Sequence, residues 1–185
     1  MNIIHFKELD STNAYAKNNI EQLNDFDVIV ADHQNAGYGQ WGRKWIDTGS
    51  ENLYMTIVIK PEEVAMLTNI VRFTAICTCN VLLKYNTSPK IKEPNDILIN
   101  NKKICGILAE SISRGDKIRG LVVGIGINLN ANKKMLELIN QPSTSLNLET
   151  QKKIDKNLFL KQIVTEFKKN YPDFIKKGVN LNSFL

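Results

Sequence analysis

Residues 32–45 read Asp32-His33-Gln34-Asn35-Ala36-Gly37-Tyr38-Gly39-Gln40-Trp41-Gly42-Arg43-Lys44-Trp45, and the reading of the chain turns on them. A β-branched run, Val28-Ile29-Val30, precedes this stretch, and a second apolar run starts at Leu53. The pattern is strand, glycine-rich loop, strand. Glycine adopts positive φ and lets another group approach the backbone closely. Successive loop N–H groups can then form a concave anion site, with Arg43 and Lys44 beside it. The same spacing also describes a plain surface loop punctuated by glycine. A second stretch, residues 92–110, is needed to separate the two readings.

Outward from the loop, Ile3 to Leu9 alternates as a strand, and Asp10-Ser11-Thr12-Asn13 offers four helix N-cap residues in a row. Thr12, Tyr15, Ala16, Asn19, Ile20 and Leu23 fall at helical spacing, so a helix begins within that tetrad. Asp27 to His33 reads as the second strand. Leu53 to Lys60 reads as the third, with Leu53, Met55, Ile57 and Ile59 on one face. Pro61-Glu62-Glu63 opens a long apolar helix expected to reach about Tyr85, with proline in its first turn and acids toward the positive end of its dipole.

From Lys90 the pattern becomes strands and tight turns: Ile91-Lys92, Ile97 to Ile99, a turn at Asn100-Asn101, Lys103 to Ser113, a turn at Arg114-Gly115-Asp116, and Ile118 to Leu129. That is a β-meander. Loops and a short helix near Met135 follow. A long helix starts at about Lys156, with Leu160, Ile163, Val164, Phe167 and Tyr171 on one face. Pro172 is expected to kink or end it, because proline has no N–H to donate. The fold class is α+β: a mixed, mostly antiparallel sheet with helices packed on it.

The 185 residues fit one domain large enough for a substantial core. A hydrophobic content of 43% with 23% charged residues is that of a globular chain. The net charge of +5 is spread over lysine doublets such as Lys102-Lys103 and Lys168-Lys169, without a basic stripe or interleaved aromatics, which argues against a nucleic-acid surface. Cys77, Cys79 and Cys105 form no disulfide framework and no zinc-ligand spacing, so a reducing cytoplasm is expected. The N-terminus lacks a signal pattern. Asn69, Arg72 and Asn80 interrupt the longest apolar stretch, so no membrane span is expected.

Lys92-Glu93-Pro94-Asn95-Asp96 and Lys103 lie on either side of a short hairpin, which brings a carboxylate, an amide and an ammonium together. A lysine next to an anion-binding loop can hold a phosphate or carboxylate oxygen while an acyl group is activated. Gly124-Ile125-Gly126-Ile127-Asn128 places two glycines in a strand, where they weaken it unless something must approach the backbone. The run lacks the third glycine and the strand-to-helix context of a dinucleotide fingerprint.

Taken together, these motifs resemble the catalytic core of biotin protein ligases. The resemblance is carried by Asp10-Ser11-Thr12-Asn13, Gln34 with Gly37 to Trp45, Glu51-Asn52-Leu53-Tyr54, Lys92-Glu93-Pro94-Asn95-Asp96, Lys103-Ile104-Cys105-Gly106-Ile107-Leu108-Ala109-Glu110, and Gly124 to Asn128, in order over most of the chain. It implies a two-step reaction. Biotin and ATP give biotinyl-5′-AMP and pyrophosphate, and a lysine of a biotin carboxyl carrier domain then takes the biotinyl group. It further implies biotin contacts at Ser11, Thr12, Asn13, Gln34, Gly37, Gly39, Lys103, Gly106, Leu108, Gly124 and Gly126. Nucleotide contacts are implied at Gln40, Trp41, Gly42, Arg43, Trp45, Asn95, Asp96 and Asn128, with Lys103 and Arg43 as the catalytic pair. Mg²⁺ follows from the ATP chemistry, with Asp96 as a candidate ligand.

Against the family pattern, Tyr38, Gln40 and Trp41 stand where the loop usually carries arginines, and Glu93 stands where a tryptophan is usual. The loop is therefore expected to hold an adenylate less tightly, leaning on Lys103, Arg43 and backbone donors. Residues 1–185 are read as a single catalytic domain, without the family's DNA-binding helix-turn-helix domain or its C-terminal β-barrel. A homodimer is compatible with this fold class. The alternatives are a relative that transfers lipoate or octanoate, with Cys105 as a paper candidate for a nucleophile, or a non-catalytic biotin-binding module.

Overall fold

In the computed structural model, residues 2–60, 69–115 and 117–177 are described. Their strands are β1 (Ile3–Leu9), β2 (Val28–Gln34), β3 (Leu53–Ile59), β4 (Lys90–Lys92), β5 (Asp96–Ile99), β6 (Lys102–Arg114) and β7 (Lys117–Ile127). Seven strands make one sheet in the order β1-β2-β3-β7-β6-β5-β4. The β1–β2 pair is parallel and every other pair is antiparallel, as expected for a mixed, mostly antiparallel α+β fold.

The alternation in β3 sorts its side chains onto two faces, both covered. Leu53, Met55, Ile57 and Ile59 join the large core, which is closed by α2 (Ile70–Leu83) and α5 (Lys156–Lys177). Phe73, Phe167, Tyr171 and Phe174 form an aromatic cluster between those two helices, with Phe73 and Phe174 stacked at 4.5 Å. On the opposite face, α1 (Thr12–Asn18) and the turn after it bring Ala16, Ile20 and Leu23 against Ile29, Val58 and Val122. The seven residues of α1 cover only part of this face. The remainder is roofed by the β2–β3 connection, and the cavity described below lies there.

One expectation for the helices falls partly outside the described residues and another is revised in part. Of the helix expected over 61–85, α2 (Ile70–Leu83) is seen, with Asn69 at its N-cap; its expected start at Pro61 lies outside the described residues. Pro172 does not end α5, which continues to Lys177. Proline forfeits one N–H bond, and the Tyr171 and Phe174 rings packed on either side of it hold the helix to the core. The short helix near Met135 is α3 (Lys133–Leu136). A further one, α4 (Leu146–Thr150), lies in a region read from sequence as loop. No helix among the described residues is long and apolar enough to cross a membrane.

Candidate active site

The floor of the site is a patch of sheet without side chains. Gly106 on β6 and Gly126 on β7 are cross-strand partners, and Gly124 pairs with Leu108 two residues further along, on the same face. A Cβ on Gly126 would lie 2.5 Å from Trp45 Cζ2, and one on Gly106 would lie 2.8 Å from Trp45 Cζ3. The pair is a platform on which the Trp45 indole lies flat against backbone. At Gly124 the group that needs the space is Asn13, whose Oδ1 a Cβ would overlap. The two strand glycines singled out in the sequence are thus explained by an indole and an amide of the protein itself.

Lys103 reaches this face through a β-bulge. Leu98 pairs with Lys103, but Ile97 pairs with Cys105, so Ile104 is an extra residue in β6. Two residues opposing one re-aims the side chains beyond the irregularity. Without it, Lys103 and Gly106, three apart in a strand, would face opposite ways. With it, Lys103 shares a face with Asp96 and Gly106, as the hairpin argument anticipated. Asn100 and Asn101, at φ 51° and 60°, form the left-handed two-residue turn that starts this hairpin. The Lys103 backbone is fixed from the other side, with its N–H donating to Pro142 O and its carbonyl accepting from Thr144 N, both at 2.9 Å.

Lys103 Nζ lies 2.7 Å from Asp96 Oδ1 and 5.5 Å from the Trp45 ring centroid. The carboxylate meets the ammonium as an ion pair, yet Asp96 Oδ1 is buried without an aligned hydrogen-bond donor. The Trp45 indole Nε1 is likewise buried and unpartnered. The Trp45 N–H is therefore a polar group beside the lysine that is available to a ligand.

At the far end of the cavity, Ser11 caps α1 by accepting from Ala14 N at 3.4 Å. Gln34 Oε1 accepts from Thr12 N at 2.8 Å and Thr12 Oγ1 at 3.2 Å, leaving its Nε2 as a donor. Asn13 is committed to the protein. Its Nδ2 donates to Leu108 O at 3.2 Å and Glu110 Oε2 at 2.8 Å, and its Oδ1 accepts from Thr56 Oγ1 at 2.7 Å.

These groups surround one cavity of about 570 Å³, within the range of small-molecule sites. Of the residues expected at the site, Ser11, Thr12, Asn13, Gln34, Gly39, Gln40, Arg43 and Trp45 line it from the loop and α1. Asn95, Asp96, Lys103, Gly106, Leu108, Gly124, Gly126 and Asn128 line it from the sheet. The Lys103 ammonium and the glycine loop are on the same side of the sheet, as the sequence argument required. Three expected residues do not line it. Gly37 is buried behind the loop, where a Cβ would meet Gln34 Nε2 at 3.0 Å and Trp45 O at 3.2 Å. Trp41 holds φ 60°, which turns its side chain outward and leaves it 91% exposed. Gly42, at φ 70°, supplies the left-handed turn and faces open space.

Asn128 lines the cavity but spends its side chain on the scaffold, accepting from Thr48 Oγ1 at 3.3 Å and donating to Thr144 O at 3.1 Å. Sequence reasoning missed Leu138 to Gln141 and Ser143, which also line the cavity. It also missed the anchor of the β2–β3 connection, Asp47. Oδ1 of Asp47 accepts from Gly49 N and Tyr54 Oη, and Oδ2 accepts from His33 Nδ1 and Gln34 N. Burial pushes the Asp47 carboxyl up, but these bonds outweigh it and hold it below its ordinary 3.8. Neither segment carries a motif; only the chain path brings them in.

Cys105 is fully buried, and burial drives its thiol well above the ordinary range, so it serves as core rather than nucleophile. Cys77 and Cys79 are buried in α2. Among the described residues no cluster of three His, Cys, Asp or Glu side chains could hold a metal by itself.

The family described as "Biotin/lipoate A/B protein ligase family" matches residues 5–128. The bifunctional ligase/repressor BirA of Bacillus spizizenii is 31% identical over 156 residues, covering 82% of this chain and 47% of that protein. The biotin--[acetyl-CoA-carboxylase] ligase of Paracoccus denitrificans is 32% identical over 164 residues, covering 85% and 68%. The biotin protein ligase of Aquifex aeolicus, solved in complex with biotin and ATP, superposes with a TM-score of 0.84 at 29% identity over 95% of this chain and 72% of that one. The chain spans about half the length of the BirA proteins it matches. On the family match and these relatives, the chain belongs to the biotin/lipoate A/B protein ligase family.

Proposed function

We propose that the chain is the catalytic core of an ATP-dependent biotin protein ligase. The observation that carries this reading is the convergence of the Lys103 ammonium, Asp96 and the glycine loop on one cavity whose other end holds Ser11, Thr12 and Gln34. Ser11 Oγ, Thr12 and Gln34 Nε2 offer hydrogen bonds to a ureido ring, and Leu108 with the Trp45 indole seated on the Gly106–Gly126 platform offers apolar surface. Lys103 holds the acid's carboxylate beside the α-phosphate. A carboxylate oxygen attacks α-phosphorus, the bond to the bridging oxygen breaks, and pyrophosphate leaves. The amine of a carrier-domain lysine then attacks the acyl carbon, and AMP leaves. Lys103 offsets negative charge in both steps without a proton change, a preorganised electrostatic role.

Arg43 and the unpartnered Trp45 N–H close the nucleotide side. Mg²⁺ keeps several waters and binds through one or two carboxylates plus substrate phosphates. Asp96, whose carboxylate lines the cavity beside Lys103, would be that carboxylate. The ion would neutralise phosphate charge. Three buried thiols suit a reducing compartment, and we place the reaction in the cytoplasm on that ground.

The test is incubation with biotin, MgATP and an apo carrier domain, followed by mass spectrometry of the carrier. One added biotinyl group is the expected result. Lipoyl transfer in a parallel arm, or biotin binding without any labelling, would overturn the proposal.

A further inference from the structure

Glu110 lies outside the cavity lining, yet three donors converge on its carboxylate. Tyr38 Oη donates to Oε2 at 2.9 Å, Asn13 Nδ2 to Oε2 at 2.8 Å, and Lys17 Nζ to Oε1 at 2.6 Å. Lys17 also sits 5.4 Å from the Tyr38 ring centroid. The cluster joins three parts of the fold: the glycine loop through Tyr38, α1 through Asn13 and Lys17, and β6 through Glu110. Burial acts to raise the Glu110 carboxyl, but the bonds from Lys17, Asn13 and Tyr38 outweigh it, so Glu110 remains a carboxylate. For Lys17 the lowering by burial is likewise outweighed, by Glu110 and Tyr38, so the ammonium persists.

Within residues 37–44 the loop is a small hairpin closed on itself. Gly39 N donates to Arg43 O at 2.7 Å, and Tyr38 bridges to Lys44. Among the described residues, Tyr38 is the one member of 37–44 whose side chain hydrogen-bonds outside that hairpin. It therefore ties the hairpin to the rest of the fold, alongside the Trp45 anchor at its base.

We propose that Tyr38, Glu110 and Lys17 form a latch, with Tyr38 as a positioning residue that fastens the glycine loop over the cavity by bonds to the protein rather than to the ligand. An arginine at this place would offer a cation to a bound anion. The phenol instead offers a neutral donor to a carboxylate already paired with Lys17, so closure is built into the fold. In this chain the loop's retention of an activated acid comes from being held shut. This part of the inference rests on the reading of the cavity given above; the latch itself does not.

The experiment is hydrogen–deuterium exchange of the amides of residues 37–44 in the full chain, combined with the rate at which preformed biotinyl-adenylate escapes. A hydrogen bond to a charged group corresponds to roughly ten- to a hundredfold, and partial solvent access places the expectation at the lower end. Tyr38→Phe should speed exchange of those amides about tenfold and adenylate escape about tenfold. Its saturated rate of adenylate formation should change less than threefold, a split that general destabilisation would not produce. Lys17→Met should move both in the same direction. Adding Glu110→Ala to Tyr38→Phe should give little more than either alone. Loop exchange in Tyr38→Phe within twofold of wild type, or additive effects in the double variant, would overturn the latch. If wild type forms no adenylate, the functional reading fails and the exchange arm still decides the latch.

Discussion

Substituting Gly126→Ala tests whether the indole must rest on bare backbone. The new Cβ would stand 2.5 Å from Trp45 Cζ2, 2.6 Å from Cε2 and 3.0 Å from Cη2. Carbon atoms pack at about 3.5–4.0 Å, so the ring has to retreat by roughly 1 Å. It cannot slide along the platform, because Gly106 lies beneath its other edge at a comparable clearance. It must lift. The Trp45 backbone is tied by its N–H to Gly37 O at 2.9 Å, so lifting the ring also pulls on the glycine hairpin. Overpacking costs about 1–3 kcal/mol, whereas alanine in place of a strand glycine recovers about 0.5–1 kcal/mol. The balance is a loss of up to about 2.5 kcal/mol, equivalent to at most roughly 60-fold in the step that needs the indole seated. Biotin-dependent ATP–pyrophosphate exchange reads that step. Gly120→Ala is the control, on the same strand, where the Cβ meets the flexible Ile20 Cδ1 at 2.7 Å away from the cavity. It should shift Tm and leave exchange near wild type. Wild-type exchange in Gly126→Ala would refute the platform, as would a defect of unchanged size in a Trp45→Ala background.

Replacing Lys103 with alanine removes the only cation paired to Asp96 among the described residues. Pyrophosphate exchange should fall by about 10²–10³ while circular dichroism and Tm stay close to wild type; retained exchange would strip Lys103 of its role. Asp47 and Glu110 have carboxyls held below their ordinary values in the fold. The unfolded chain therefore binds protons first as pH falls. Their contribution is complete above about 4.5 and is lost as pH drops through the lower folded values. Tm should be level from neutral pH down to about 5 and then decline, and Asp47→Asn should make that decline shallower; an unchanged acid slope would contradict the assignment. Native protein should leave Cys105 unmodified by iodoacetamide, with labelling appearing only in denaturant, and Cys105→Ala should keep activity within a few-fold. Rapid labelling of the native thiol would show that its burial is misjudged.

The strands, the β6–β7 meander and the start of α1 were legible because each rests on local chemistry. Alternation marks β3, paired asparagines mark the turn at Asn100-Asn101, and Ser11 marks a cap. The site was legible in its membership but less so in its wiring. Nothing local distinguishes an asparagine that faces a ligand from Asn13, whose three partners come from Thr56, Leu108 and Glu110. The aim of Lys103 depends on one unpaired residue, Ile104, and an apolar residue in a strand gives no sign that it is supernumerary. Trp41 and Trp45 are four apart in one loop, yet one points to solvent and the other lies on the sheet; the difference is the left-handed φ at Trp41. The glycines link these observations. Gly106, Gly124 and Gly126 leave a strip of two strands uncovered, and the molecule lays Asn13 and Trp45 into that strip from α1 and from the loop. A sheet face trimmed of side chains lets a flexible connection dock closely enough to become a wall. That docking brings an exposed glycine loop within reach of a lysine on the far hairpin.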